Sequence, residues 1–408
     1  MTRIRVAQML VAPALMALVI QPTGRARADA VTDWNVVAIN ATAVPPNSIL
    51  QSRVLATVHG AIYDAVRAVD QKSAAHAVDL KAPAGTSLDA AVAAAAHGVL
   101  VHLAPNEKPA LDAALNTALS KIADGGSKTD GISIGSQVAE KLVALRSGDR
   151  ADQKVGFTAQ AGLGFYQLTP PHSAAPILPQ WGGVTPFVVR SRSGLEFKGP
   201  PPHGSAEFAR DLDEVRSLGV RNSTTRTADQ TAAAIFWTVQ TAVPWHAAAR
   251  AASAARNLSI AEDAKVFALL SMATADSQIV GFEEKYKRSH WRPITAIRAA
   301  TNGDPTWEPL LVTPPHPDYP SAHAMFSGAA EAVLRAFFGS DEVNVSVTFP
   351  GPFGVMRRYG SFSEMTREVD NARVWGGIHF RSADKDGSDV GRKIGEIAVR
   401  DFPKPQTN

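Results

Sequence analysis

Ser48-Ile-Leu-Gln-Ser-Arg-Val-Leu-Ala-Thr-Val-His-Gly-Ala-Ile-Tyr-Asp-Ala-Val-Arg-Ala-Val69 reads as one long helix. Ile49, Val54, Leu55, Val58, Ile62 and Val66 recur at three- and four-residue steps, which aligns them on one face. Pro45-Pro46-Asn47-Ser48 just ahead is a helix-start signal. Downstream, the same spacing in alanine-rich sequence predicts helices over 88–103, 108–122 and 132–145. Pro105, Gly125-Gly126 and Gly148 separate them, and four helices with short connections predict a bundle.

Periodicity then fails. From Ala151 to Pro202 the chain is punctuated by Pro170-Pro171, Pro176, Pro179, Pro186 and Pro200-Pro201-Pro202, and reads as a long ordered crossover. Helical spacing returns over 206–218, 227–239, 244–257, 261–287, 324–338, 362–374 and 389–399, with 343–349 as the best strand candidate. The expected fold class is therefore all-α. Its predicted organisation is a leader over 1–30, an N-terminal helical bundle over 31–150, the crossover over 151–205, and a C-terminal helical domain over 206–408.

The leader is read from Arg3 and Arg5, the apolar run Met9 to Ile20, and the small-x-small site Ala28-Asp29-Ala30, with Ala26-Arg27-Ala28 as a second cleavage site. The run is shorter than the roughly 20 apolar residues of a spanning helix. It predicts a secreted or periplasmic protein with no membrane association after cleavage. With no cysteine, disulfides, thiolate catalysis and cysteine-ligated metals are excluded. A net charge of +3 over 408 residues, with no Lys/Arg run, gives no footprint for nucleic acid. Nothing in the composition bears on the oligomeric state.

Three segments in the second half carry chemistry. Lys285 and Arg292 are seven apart, close to two helical turns, so on a continuous helix they share a face, and Pro293 would end that helix. A fork and a point charge side by side suit a multiply charged oxyanion. In Pro320-Ser321-Ala322-His323, Ser321 stands at the N-cap position of the next helix, where backbone N–H groups attract anions. Arg373-Val-Trp-Gly-Gly-Ile-His379 places two residues six apart, and they can meet one ligand if Gly376-Gly377 breaks the helix. Alone, the three also read as a solvated basic patch, a capped helix start and a basic helix end. A zinc site of His290, His316, His323, His379 and Asp318 lacks ligand spacing and would face three cations.

Lys-x6-Arg-Pro, Pro-Ser-x-His and Arg-x5-His, in this order, resemble the signature of the phosphatidic acid phosphatase type 2 / vanadium haloperoxidase superfamily. Tyr286, the run Trp291 to Arg298, Thr313-Pro314-Pro315-His316-Pro317 and Gly377-Ile378-His379-Phe380 resemble its soluble bacterial haloperoxidase-like branch; Val58 to Ala65 does so more loosely. The resemblance implies an all-α bundle fold in which Lys285, Arg292, Ser321, the N–H of Ala322 and Arg373 hold vanadate or a phosphoryl group. It implies that His379 is the apical ligand to vanadium or the nucleophile toward phosphorus, with His323 opposite as acid–base. Ala322 replaces the family's usual Gly, and Ala372 a frequent Ser.

The implied activity is peroxide-dependent oxidation of halide at His-bound vanadate. The alternative is an acid phosphatase acting on phosphate esters through a phosphohistidine. The helical first half favours the peroxidase, as does His316, where algal bromoperoxidases resemble this chain in a second histidine; that histidine points to bromide or iodide over chloride. Trp291 lines the halide approach or, as favoured, packs in the core. Asp276, Asp318 and Asp384 are candidate carboxylates to orient the two histidines.

Overall fold

The computed structural model describes residues 29–43, 47–300, 303–348 and 355–403. Before the crossover run α1 (Ala30–Ala41), α2 (Ser48–Asp70), α3 (Leu88–Leu103), α4 (Lys108–Leu119) and α5 (Gly126–Ser147). After it come α6 (Ala206–Leu218), α7 (Ala228–Phe236), α8 (Ala242–Arg256), α9 (Ile260–Arg288), α10 (Pro293–Ala299), α11 (Ala322–Phe338), α12 (Phe362–Trp375) and α13 (Arg381–Asp401). The protein is all-α, as expected. The strand expected over 343–349 is β1 (Glu342–Thr348), paired antiparallel with β2 (Met356–Ser361), whose polar sequence gave no alternation to read.

The long middle helix α9 organises the molecule, lying against α2 on one side and α11 on the other, while α11 packs along α13. A single apolar core crosses these contacts. Leu55, Val58 and Ile62 of α2, Val92 and Val99 of α3, Phe267 and Leu270 of α9, and Phe326 and Val333 of α11 all belong to it. The α11–α13 approach is close enough that a Cβ on Gly391 would lie 2.3 Å from the Met325 carbonyl oxygen, so only glycine fits there.

Several boundaries differ from expectation, among them the start of α5 at Gly126 in place of 132 and the ends of α4 and α7, three residues short. The unexpected α1 is capped by Asp29, which accepts from the Thr32 N–H while the Thr32 side chain bonds back to the Asp29 N–H. The leader expected over 1–30 lies outside the described residues as far as Ala28; Asp29 and Ala30 are the cap and first residue of α1. Pro293 opens a helix instead of only ending one: its fixed φ suits the first helical position, where no N–H is required. α13 begins at Arg381, eight residues before the expected 389, because the buried face of its first turns carries Asp384, Asp386, Gly387 and Ser388, which leave no apolar period to read.

The crossover carries no α-helix among the described residues and is tied down instead by buried polar groups. The carboxylate of Asp276, on α9, accepts from the N–H groups of Phe187, Val188 and Val189 at 2.7, 2.8 and 2.7 Å. Asp276 is therefore an anchor for the crossover and does not orient either histidine of the site. The Arg146 guanidinium lies 3.8 Å over the Phe187 ring, and the Tyr286 hydroxyl donates to the Ile177 carbonyl. Further along, Tyr166 N–H donates to Ser289 C=O at 2.7 Å and Trp291 N–H to Gly164 C=O at 2.9 Å. The crossover thus braces the segment leading out of α9.

Candidate active site

The structure brings the three segments together, though the first differs in local form from its reading. α9 ends at Arg288 and Ser289 turns left-handed at φ 48°. Lys285 therefore sits in the last turn of α9 while Arg292 is the N-cap of α10. Their proximity comes from this corner and not from one helical face. Lys285 is fully buried and its Nζ donates to the carbonyls of Pro317 and Asp318 at 2.9 and 2.8 Å. Arg292, also fully buried, donates from Nε to His316 C=O at 2.7 Å, and from one terminal nitrogen to Ile378 C=O at 2.6 Å and His379 Nε2 at 3.1 Å.

Ser321 stands at the N-cap of α11 but makes no capping bond; its hydroxyl is buried and unpartnered among the described residues. Ala322 begins the helix without a left-handed φ, so its N–H joins the first-turn donors that no intrahelical carbonyl satisfies. Its methyl packs in a small cluster with Ile49, Ile279 and Phe282. His323 follows and keeps partial contact with solvent, whereas Lys285, Arg292, Ser321, Arg373 and His379 are buried. The site is accordingly approached past His323.

In the third segment the break falls where glycine was expected: α12 ends at Trp375 with Gly376 as cap, and Gly377 takes φ 75°. A side chain on Gly377 would also meet the Gly219 carbonyl at 2.4 Å. Arg373 donates to Trp237 C=O at 2.7 Å and leaves a buried Nε unpartnered. After the break, His379 turns back toward Arg292.

Buried charge shapes this pocket. Burial, reinforced by Arg292, holds the Lys285 ammonium well below its usual range. Burial and Arg292 likewise push His379 down to about 3, and burial and Arg373 push His323 well below the ordinary histidine range. Both imidazoles are thus neutral at neutral pH. His379 Nδ1 lies 2.9 Å from Asp318 Oδ1, off the ideal hydrogen-bond direction, so the carboxylate meets the neutral ring as a close polar contact. With its proton toward that carboxylate, the opposite Nε2 presents a lone pair, which the Arg292 N–H contact confirms as the acceptor side.

Of the three candidate carboxylates, Asp318 orients His379. Asp384 is fully buried in the first turn of α13, both oxygens unpartnered among the described residues. Burial and the nearby Asp370 raise it well above the carboxylate range. His316 is buried and has become a partner of Arg292: its Nδ1 lies 2.9 Å from the guanidinium, and its ring packs 5.4 Å from that of Phe282. Trp291 packs with Phe208, Ile294 and Phe380, as favoured. His290, beside Asp318, was weighed in the sequence only as a zinc ligand; nothing in its spacing singles it out.

An oxyanion fits this arrangement. Arg373 Nε is a buried donor with no acceptor among the described residues, and the Ser321 hydroxyl, next to the Asp384 carboxyl, makes no well-formed hydrogen bond; both belong to a cluster with two further cations and the His379 imidazole. Fold and site together describe a helical protein with a buried, cation-lined cluster suited to an oxyanion.

Residues 265–405 match the model of the second helical-bundle domain of vanadium chloroperoxidase. Over 91 residues the chain is 33% identical to the vanadium chloroperoxidase of Curvularia inaequalis, a stretch covering 19% of this chain and only 15% of that protein. The crystal structure of a bacterial vanadium-dependent iodoperoxidase superposes with a TM-score of 0.80 at 25% identity, covering 91% of this chain and 96% of the other. A holo bacterial vanadium-dependent chloroperoxidase superposes at 0.71 with 17% identity, over 88% and 93%. The second half of the chain thus carries the vanadium haloperoxidase type of helical bundle, and the whole chain has the fold of the bacterial vanadium haloperoxidases.

Proposed function

We propose that the protein is a vanadate-dependent haloperoxidase, oxidising halide with hydrogen peroxide. The observation that carries this reading is that two buried donors without a well-formed hydrogen bond, Arg373 Nε and Ser321 Oγ, belong to the same buried cluster as His379, whose Nε2 meets only the Arg292 guanidinium among the described residues. Lys285, Arg292, Arg373, Ser321 and the Ala322 N–H would hold the oxygens of vanadate, and His379 Nε2 would be its ligand. When bound, vanadate supplies the Lewis acidity that activates peroxide for a two-electron oxidation. In that reaction halide, peroxide and one proton yield hypohalous acid and water.

The chain's residues supply the rest. Asp318 fixes the His379 tautomer so that Nε2 faces the anion. Lys285 and Arg292, buried and restrained by backbone carbonyls, are preorganised against negative charge. Beside a bound oxyanion the Lys285 ammonium would be favoured again. His323, neutral and nearest solvent, is placed to accept and return the proton that the reaction consumes. His316, held against Phe282 and Arg292, supports bromide or iodide over chloride, as does likeness to an iodoperoxidase.

The test is direct. Apo protein supplied with orthovanadate, peroxide and iodide or bromide should oxidise halide, and His379→Ala should abolish both this activity and vanadate binding. Brisk hydrolysis of p-nitrophenyl phosphate without vanadate-dependent halide oxidation would overturn the proposal in favour of a phosphatase.

A further inference from the structure

Resting on the proposed reading of His379, we infer that His290 is a positioning residue, clamping the far oxygen of Asp318 so that its near oxygen stays on His379. Asp318 is fully buried, and its oxygens face three side chains. Oδ1 lies 2.9 Å from His379 Nδ1 and 4.0 Å from an Arg292 terminal nitrogen, while Oδ2 lies 3.5 Å from His290 Nδ1. Neither oxygen has a well-formed hydrogen bond to anchor it. The carboxylate therefore has two competing partners on one side, and the electrostatically stronger is the guanidinium.

Either outcome of that competition matters to the anion. A carboxylate that swings to Arg292 neutralises a cation the oxyanion needs and releases the Nδ1–H of His379. His379 is then free to place its proton on Nε2, the atom that must carry the lone pair. A donor on Oδ2 resists this swing, and His290 is the side chain within reach of it.

His290 is itself held. Its carbonyl accepts from the Asp318 N–H at 2.9 Å, so main chain and side chain grip the same residue. Lys285 grips the Asp318 carbonyl at 2.8 Å from the other side. The backbone of 289–291 is pinned by Tyr166 and Gly164 of the crossover, with an isolated bridge between Phe165 and His290. The His290 ring rests 5.6 Å from that of Phe380, the residue after His379. Its outer edge lines a cleft shared with Phe165, Trp291 and Arg288. The chain of contacts thus runs from the crossover through His290 and Asp318 to the back of His379, opposite the anion.

Three variants of the full-length protein separate this role from packing. His290→Phe keeps a ring against Phe380 but offers no donor. His290→Asn places an amide N–H near the position of Nδ1. His203→Ala removes another histidine of the same cleft that has no contact with Asp318. The readouts are orthovanadate affinity by calorimetry and the His379 tautomer by 15N NMR of histidine-labelled protein. His290→Phe should weaken vanadate binding by about tenfold to a hundredfold, the usual cost of losing an outer partner of a ligand, and shift His379 to mixed tautomers. His290→Asn should recover most of the affinity, and His203→Ala should match the wild type. Wild-type affinity and tautomer in His290→Phe would overturn the inference while leaving the proposed function intact; a wild-type protein that does not bind vanadate would overturn both.

Discussion

Ala322 shows how a single methyl can be judged from its surroundings. It replaces the residue type that its motif usually has, at a helix start where backbone must approach an anion. It lies within the first turn of a helix with no left-handed φ, and its methyl belongs to an apolar cluster with Ile49, Ile279 and Phe282. Ala322→Gly should therefore leave vanadate affinity within about twofold, while lowering stability by roughly 1 kcal/mol from lost methyl burial and added chain entropy. Calorimetric binding and denaturant melts check the two halves of this expectation. The residues proposed to hold the anion, Lys285, Arg292, Ser321, Arg373 and the two histidines, were legible through the family resemblance of three ordered motifs, each ambiguous alone. Asp318 could not be separated from Asp276 and Asp384, and His290 could not be placed beside it. What distinguishes these residues is which group each meets across the fold, and spacing carries no such information.

At the scale of elements, apolar periodicity located nearly every helix of the second half, and it failed where the backbone departs from a simple start or stop. Ser289 in the left-handed region and Pro293 opening α10 turn an expected continuous helix into a corner, and that corner brings Lys285 to Arg292. The α12–α13 break is the better-signalled junction, since Gly376-Gly377 has few other readings. Gly377 combines φ 75° with a 2.4 Å approach to the Gly219 carbonyl, so a methyl there faces both strain and collision. Gly377→Ala should destabilise the protein by more than about 1 kcal/mol. Because His379 lies two residues on, activity should fall more steeply than stability, which assays below the melting temperature can resolve.

For the whole molecule, buried carboxyls set a pH dependence of folding that is separate from catalysis. Burial raises Asp263 to about 7, although Ser253 donates to it at 2.5 Å. The unfolded chain binds that proton with an ordinary affinity near 3.8. A raised carboxyl contributes its stability below the unfolded value and loses it as pH climbs through the folded value, here from about 4 to about 7. Asp263→Asn, which keeps an acceptor for Ser253, should thus raise the melting temperature at pH 8 and change it little at pH 4. Equal melting shifts at the two pH values would refute this origin.

The apolar core passes without interruption from α2 and α3 into α9 and α11, and the crossover is fastened by hydrogen bonds from Gly164 onward, past its exposed beginning. Peptide-bond continuity near residues 152–163, which are largely exposed, therefore contributes little to holding the halves together. Two separately expressed fragments divided there should find each other and reconstitute the reaction centre, making the protein a natural candidate for complementation by halves.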